Sequence, residues 1–225
     1  MPIDVDVLRQ IPLFATLSSG DLAHVAAMTV ERHYERGDII LLEGDKGGAL
    51  HYVREGVVKV FKTSVGGKEQ VLRLIAAGHT FNDVPALDGG SNPASAAAME
   101  PSVVYVIRRP ELLKLIATRH EVAGAVVQTL ASALRHLVAL VEDLSLRHVT
   151  ARVAKLLLEQ EASFQEEQHI YHLTQQEMAA LAGTAREVVG RALKELEVAG
   201  AIEMRQGRAV VLNRERLRML ASGEQ

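Results

Sequence analysis

The chain has no cysteine and no tryptophan, and aromatic residues make up only 4 % of its 225 positions. Without cysteine, disulfides, thiolate zinc sites, thiol redox sensing and cysteine-ligated haem or iron–sulfur clusters are all excluded. No uninterrupted apolar run approaches about 20 residues, so no membrane span is expected. The opening Met-Pro-Ile-Asp-Val-Asp is acidic and lacks the basic and apolar regions of a secretory signal, which predicts a cytoplasmic location. Positive charge is not in excess either. A net charge of -3 argues against indiscriminate nucleic-acid binding, yet a local basic tip suffices for site-specific binding. Paired carboxylates, a nucleophile elbow and a phosphate-binding loop are all missing, so an enzyme is not expected, and no metal site is read from the sequence.

What is present is most specific between Thr174 and Gly200. Thr174 and Glu177 have the spacing of a capping box, with Gln175 and Gln176 between them. Met178, Leu181 and Ala182 fall on one helical face, and Gly183 permits the left-handed turn that ends the helix. A second helical pattern starts at Thr184-Ala185-Arg186-Glu187 and buries Val188 or Val189, Ala192, Leu193 and Leu196. Its exposed leading face carries Arg186, Glu187 and Arg191. An arginine fork suits the O6 and N7 acceptors of guanine, and a glutamate can accept from the cytosine amino group. Glu187 and Arg191 sit at i,i+4 and are expected to orient each other. For one charged pair alone, a solvated helix face is the plainer account. The cap, the glycine turn, the second amphipathic helix and a following hairpin occur together, and that combination favours a helix-turn-helix. The hairpin spans Ala201–Leu212 around Gln206-Gly207, with Arg205 and Arg208 at its tip, and is expected to act as a wing touching phosphates. Asn213 has the character of an N-cap for a closing helix, Arg214 to Ala221.

The remainder predicts a sensor. Residues 4–30 suggest short helices. From Tyr34 to Arg108, glycine-punctuated strands are expected at Asp38–Leu42, Ala49–Arg54, Val57–Lys62, Glu69–Ile75 and Val103–Arg108, the pattern of a small antiparallel barrel or roll. Between Gly78 and Glu100 the alternation breaks into a turn of helix and a small-residue loop, a natural place for a ligand. After a short helix at Glu111–Ile116, a long helix is expected from about Glu121 to Leu146. Ala123, Val126, Leu130, Ala133, Leu137, Leu140 and Leu144 form a heptad seam along it, which predicts a parallel two-stranded contact. A second stripe, Val127, Leu134, Val138 and Val141, is expected to face the β domain. The fold class is α+β, divided as an effector-sensing β-roll over 1–118, a dimerisation helix over 119–146 and a winged helix-turn-helix over 147–225.

This order of elements resembles the cyclic-AMP receptor protein and fumarate–nitrate regulator superfamily of bacterial transcription factors. The resemblance covers essentially the whole chain. It is carried by Leu173-Thr-Gln-Gln-Glu-Met-Ala179, Gly183-Thr-Ala-Arg-Glu-Val-Val-Gly-Arg191 and the roll glycines Gly37, Gly44, Gly56 and Gly78. It implies a homodimer on double-stranded DNA, a TGTGA-like inverted repeat with half-site centres roughly 34 Å apart, RNA polymerase as a partner, and a small effector in the roll. By the same resemblance the DNA contacts fall on Thr174, Gln175, Gln176, Thr184, Arg186, Glu187, Arg191 and Arg208. The implied dimer interface is Val126, Leu130, Leu137, Leu140 and Leu144. The effector pocket maps onto Phe81, Asn82, Asp83, Ser91, Asn92, Ala94, Ser95, Leu137 and Val138.

Cyclic-AMP-binding members carry a glutamate for the ribose and an arginine-serine pair for the phosphate. Here those positions hold Asp83, Pro93 and Ala94, and the pair that would reach the purine is Leu137-Val138, which argues against cyclic AMP. Gly66–Leu74 and Asp143–Val153 resemble the nitric-oxide-responsive regulators of denitrification, some of which bind haem. Nine histidines leave haem ligation open, with His79 the best single candidate, although a turn residue is the plainer account of it. His169 and His172, at i,i+3, have the character of a solvated loop. Pro2 resembles the terminal ligand of carbon-monoxide sensors, but Val84 stands where those proteins need a histidine. The effector's identity stays open, and a nucleotide-binding module acting on a protein partner is the alternative outside transcription.

Overall fold

The computed structural model describes residues 3–165 and 172–222, so Pro2 and His169 lie outside the described residues. The chain divides into two compact units. Met1–Lys62 with Arg73–His136 forms one, and Thr63–Leu72 with Leu137–Gln225 forms the other.

The first unit opens with α1 (Val5–Arg9) and α2 (Ser19–Met28). Asp4 and Ser18 cap them by accepting from the amides of Asp6 and Asp21. Eight strands follow: β1 (Val30–Tyr34), β2 (Ile39–Leu41), β3 (Ala49–Glu55), β4 (Val57–Thr63), β5 (Glu69–Ala76), β6 (Thr80–Phe81), β7 (Ser95–Ala98) and β8 (Ser102–Arg108). The short α3 (Asp83–Asp88) lies between β6 and β7. Sheet order is β1-β8-β3-β6 in one layer and β2-β7-β4-β5 in the other, the expected antiparallel roll. The five expected strands are all present. Three were not anticipated. β6 is only two residues long, and β7 is Ser-Ala-Ala-Ala, buried throughout, where alanine's low strand propensity hides the pattern. β1 is half exposed and charged.

Two cores result from the alternation of side chains across the strands. On one side Leu50, Tyr52, Tyr105 and Ile107 pack with Leu8, Leu22 and Leu112 of the helices and with Phe14 from the turn between α1 and α2. On the other, Val53, Val58, Ile75, Phe81, Ala96 and Val104 fill the interior of the roll. Gly56 turns β3 into β4 at φ 88°, where a Cβ would lie 2.3 Å from the Ser102 hydroxyl, so only glycine fits.

α4 (Arg109–Thr118) leads into α5 (His120–Leu146), a 27-residue helix. Its phase differs from the expected one. Val122 is fully buried, Val126 packs on the same core, and Val126, Thr129 and Leu130 line one cleft. That i, i+4, i+7, i+8 stripe is therefore the inward face. Val127, Leu134, Val138 and Val141, expected inward, are 61–66 % exposed. The anchored Val122 sets the rotation. A heptad pattern with apolar residues at several adjacent positions admits more than one seam, and burial at the helix start selects among them. Of the predicted interface, Val126 and Leu130 point inward, Leu140 is partly buried, and Leu137 and Leu144 remain exposed. The exposed seam is Val127, Leu134, Leu137, Val141 and Leu144, with Val138 beside it.

Among the described residues α5 is also the one helix long and apolar enough, by length and composition, to cross a membrane. It is not the unbroken apolar run whose absence argued against a membrane span. α5 is broken by Gln128, Thr129, Ser132, Arg135 and His136 yet stays apolar on average.

The second unit holds α6 (Val149–Gln165), α7 (Gln175–Ala182), α8 (Arg186–Val198), the hairpin β9 (Ile202–Arg205) and β10 (Arg208–Val211), and α9 (Arg214–Ser222). Val153, Ala154, Leu157, Met178, Ala182, Val189, Leu193, Leu196 and Leu217 form its core. On α7 it is Ala179, not Leu181, that is fully buried beside Met178 and Ala182.

Candidate nucleic-acid interface and effector site

The helix-turn-helix is held from both ends of α7. Glu177 N donates to Thr174 Oγ1 at 3.2 Å, and Thr174 N donates to Glu177 Oε2 at 2.7 Å, so the capping box is complete. At the other end Gly183 adopts φ 66° in the left-handed region. The last carbonyls of a helix have no partner within it. Here side chains supply them. Gln70 Nε2 donates to Leu181 O at 3.3 Å, Arg152 Nε to Ala182 O at 2.8 Å and Lys68 Nζ to Gly183 O at 3.3 Å. Burial pushes the Arg152 guanidinium down from its ordinary pKa, with Asp143 opposing it.

α8 begins at Arg186, two residues later than the sequence pattern suggests, and Ala185 provides no side-chain cap. Val189 is the fully buried valine, with Ala192, Leu193 and Leu196. Arg186, Glu187 and Arg191 are exposed together on the opposite face. The i,i+4 pairing expected between Glu187 and Arg191 is not formed. Among the described residues none of the three makes an ion pair or hydrogen bond. An exposed pair of this kind contributes only about 0.3–0.5 kcal/mol, too little to hold two long side chains together. Thr174 and Gln176 are exposed, and Gln175 and Thr184 are partly so. Lys194 also lies on this face, one turn beyond Arg191, and was missed by the sequence reading although Glu187, Arg191 and Lys194 have i, i+4, i+7 spacing.

The wing forms as expected. Arg205 pairs with Arg208 across the turn, and Gln206 (φ 48°) and Gly207 (φ 78°) give the two left-handed residues of a tight hairpin. The two arginines differ. Arg205 is tied to Glu203 on its own strand at 2.6 Å, whereas the exposed Arg208 side chain makes no hydrogen bond or ion pair among the described residues. Asn213 caps α9 by accepting from Arg216 N at 2.9 Å.

In the first unit the residues expected to line an effector pocket are largely occupied with the fold. Asn82, at φ 62°, donates from Nδ2 to Ala49 O at 3.2 Å. Asn92 donates from Nδ2 to Leu42 O at 3.0 Å, Ser95 Oγ accepts from Glu43 N at 3.0 Å, and Ser91 bridges to the Lys46 backbone. Phe81 and Ala94 are buried. Leu137 and Val138 belong to the second unit and are exposed. These polar groups thus bond to the backbone of their own loops and strands. Asn92 Oδ1, His51 Nδ1 and Arg109 Nε are buried in this unit without a hydrogen-bond partner among the described residues. His51 stacks on Phe81 at 5.0 Å between ring centroids, and burial pushes its pKa down to about 4 against a weaker opposing effect of the Ala49 carbonyl. Burial also raises the Asp83 carboxyl above the usual carboxylate range, in spite of the 2.9 Å bond from Thr80 Oγ1 and the nearby Arg73 charge. The cleft lined by Asp83, Leu50, Val126 and Leu130 has room for about one water, ≈ 10 Å³. His79 is exposed, with Nδ1 at 3.3 Å from the Ala77 carbonyl.

Residues 31–119 match the cyclic nucleotide-binding domain, and residues 151–220 match the Crp-like helix-turn-helix domain. The cyclic AMP receptor protein of Thermus thermophilus is 33 % identical over 94 % of this chain and 97 % of its own length. The chain belongs to the CRP/FNR family. It is a DNA-binding transcription regulator of that family. The catabolite activator protein of Thermus thermophilus, a solved structure, is 32 % identical with a TM-score of 0.53, covering 95 % of this chain and all of that one. FixK2 of Bradyrhizobium japonicum shares the fold at 24 % identity, with a TM-score of 0.74 over 85 % of this CRP/FNR chain and 96 % of that one.

Proposed function

We propose that the protein is a homodimeric regulator that reads an inverted DNA repeat with a TGTGA-like half-site, and that a small effector in the β-roll controls it. The observation that carries this reading is the unpaired trio Arg186, Glu187 and Arg191 on the exposed face of α8, backed by a capped and rigidly held turn. Arg191 takes a guanine and Glu187 a cytosine, while Thr174, Gln175, Gln176, Thr184, Lys194 and Arg208 contact phosphates. A second copy of the chain covers the exposed seam of α5, because Val127, Leu134, Leu137, Val141 and Leu144 repeat at heptad spacing. Arg135 and His136 in mid-helix favour that occupant over a bilayer. Residues 1–118 sense, 119–146 join the protomers and 147–225 read DNA, in the cytoplasm and beside RNA polymerase.

Relatives named as cyclic-AMP receptors make cyclic AMP the first effector to test. Pro93 and Ala94 supply neither a cation nor a hydroxyl for its phosphate, and haem remains open without an assigned ligand. Footprinting on a selected DNA site, with and without cyclic AMP or haem, tests effector control. Protection that depends on one of them supports the reading, and protection indifferent to every added small molecule contradicts it.

A further inference from the structure

The end of α5 meets the winged helix-turn-helix through charged groups. The apolar core of that domain takes no residue from α5 among the described residues, and only Arg147 and His148 separate α5 from α6. Leu144 lies beside the Gly183 turn yet outside that core. Asp143 puts a carboxylate in the last turn of α5, at the end where a helix favours cations. Two cations offset that cost. Arg147 Nε pairs with Asp143 Oδ1 at 2.9 Å, and Lys155 Nζ donates to Asp143 Oδ2. Arg147 Nη1 also donates to Ala221 O near the end of α9. All of these groups lie in the second unit.

Arg152, partly buried in the first turn of α6, spans this junction. Its Nε donates to the carbonyl of Ala182, the last residue of α7, at 2.8 Å. Its Nη1 donates to Arg147 O at 2.6 Å and to Asp143 O at 3.4 Å. The negative ends of two helices, α5 and α7, therefore share one guanidinium. The planar fork holds its donors in fixed directions, which a single ammonium on a flexible stem does not. α7 and α8 fill the same core, so whatever holds α7 against the end of α5 also holds α8.

We propose that Arg152 is a positioning residue that fixes α8 relative to α5 and thereby sets the half-site spacing the dimer accepts. This rests on the reading that two chains pair along α5 and read an inverted repeat with α8. One base pair added to the spacer turns one half-site by about 35° and shifts it by about 3.4 Å, which two rigidly held recognition helices cannot follow. The test takes the inverted repeat that the natural chain enriches from randomised duplexes and remakes it with a spacer one base pair shorter and one longer. The three duplexes are titrated with the natural chain, Arg152→Gln and Arg152→Lys, with dimers checked by sedimentation and folding by thermal melting. The natural chain should lose roughly tenfold or more in affinity on either altered spacer, Arg152→Gln only about threefold, and Arg152→Lys an intermediate factor. Single-base changes within a half-site should keep their effect in both variants, because the reading side chains are untouched. A merely structural role would weaken binding to every duplex by one common factor. That outcome, or an undiminished spacer penalty in Arg152→Gln, overturns the assignment. Should Arg152→Gln unfold, a spacer penalty in Arg152→Lys equal to that of the natural chain overturns it instead. A natural chain that binds all three spacers equally contradicts the dimeric reading itself.

Discussion

Arg191 and His51 show how differently single side chains act in this protein. Arg191 is exposed and its side chain has no partner among the described residues, so its removal should leave the fold intact and, on the proposed reading, strike recognition alone. Arg191→Ala is expected to cost about 1–3 kcal/mol at one guanine position while other positions keep their preference. Binding isotherms on single-base variants of the site measure this, and a uniform loss across all variants would reassign Arg191 to a phosphate. His51 is the opposite case, buried and neutral with its pKa at about 4. An unfolded histidine titrates near pH 6.5. Between those values the unfolded chain takes up a proton that the folded chain refuses, so stability present above pH 6.5 is lost as pH falls towards 4. The full window corresponds to about 3 kcal/mol. His51→Phe should flatten the acid limb of a pH series of melting temperatures, and an unchanged slope would assign that limb to other groups.

At the scale of elements, the turn and the long helix make separable predictions. Gly183 holds φ 66°, and a Cβ there would lie 2.8 Å from both Gln70 Oε1 and Leu144 Cδ2. Gly183→Ala should destabilise the second unit by about 1–2 kcal/mol, chiefly through the left-handed backbone. Gly124→Ala meets nothing within 4 Å in the helical α5 and should be neutral or stabilising by up to about 1 kcal/mol. Urea melts of the two variants measure both changes. On α5, Leu134→Glu should dissociate the protomers in sedimentation while leaving helix content unchanged. If Leu134→Glu remains dimeric, the exposed seam is not the interface.

The elements themselves were legible in the sequence where a strong local signal existed. The capping box, the Gln206-Gly207 hairpin, the glycine-punctuated strands and the bounds of α5 follow from cap chemistry, turn chemistry and periodicity. β7 was not legible, because Ser-Ala-Ala-Ala carries no strand preference and is specified by its neighbours β2 and β4. The phase of α5 was not legible either. Apolar residues at 126, 127, 130, 134, 137, 138 and 141 fit two faces, and only the packing of Val122 decides between them. On α8, the shared exposed face of Arg186, Glu187 and Arg191 was visible from spacing. Commitment of Asn82, Asn92 and Ser95 to loop backbones depends on tertiary contacts that spacing does not encode.

The molecule as a whole carries a helix with an uncovered apolar seam and, on α8, three exposed leading side chains unpaired among the described residues. Each of these features lacks a partner in the single chain. The two partners proposed are a second protomer and a DNA half-site. The last is the central claim, because family membership establishes DNA binding but not the sequence read or the role of α8 in reading it. Affinity selection of the full chain on randomised duplexes tests it most directly, carried out for the natural chain and for Arg191→Ala. The account predicts an enriched inverted repeat with half-sites about one helical turn apart, and loss of preference at one symmetric G·C pair in the variant. Enrichment of no common sequence, or an identical repeat selected by Arg191→Ala, would contradict it.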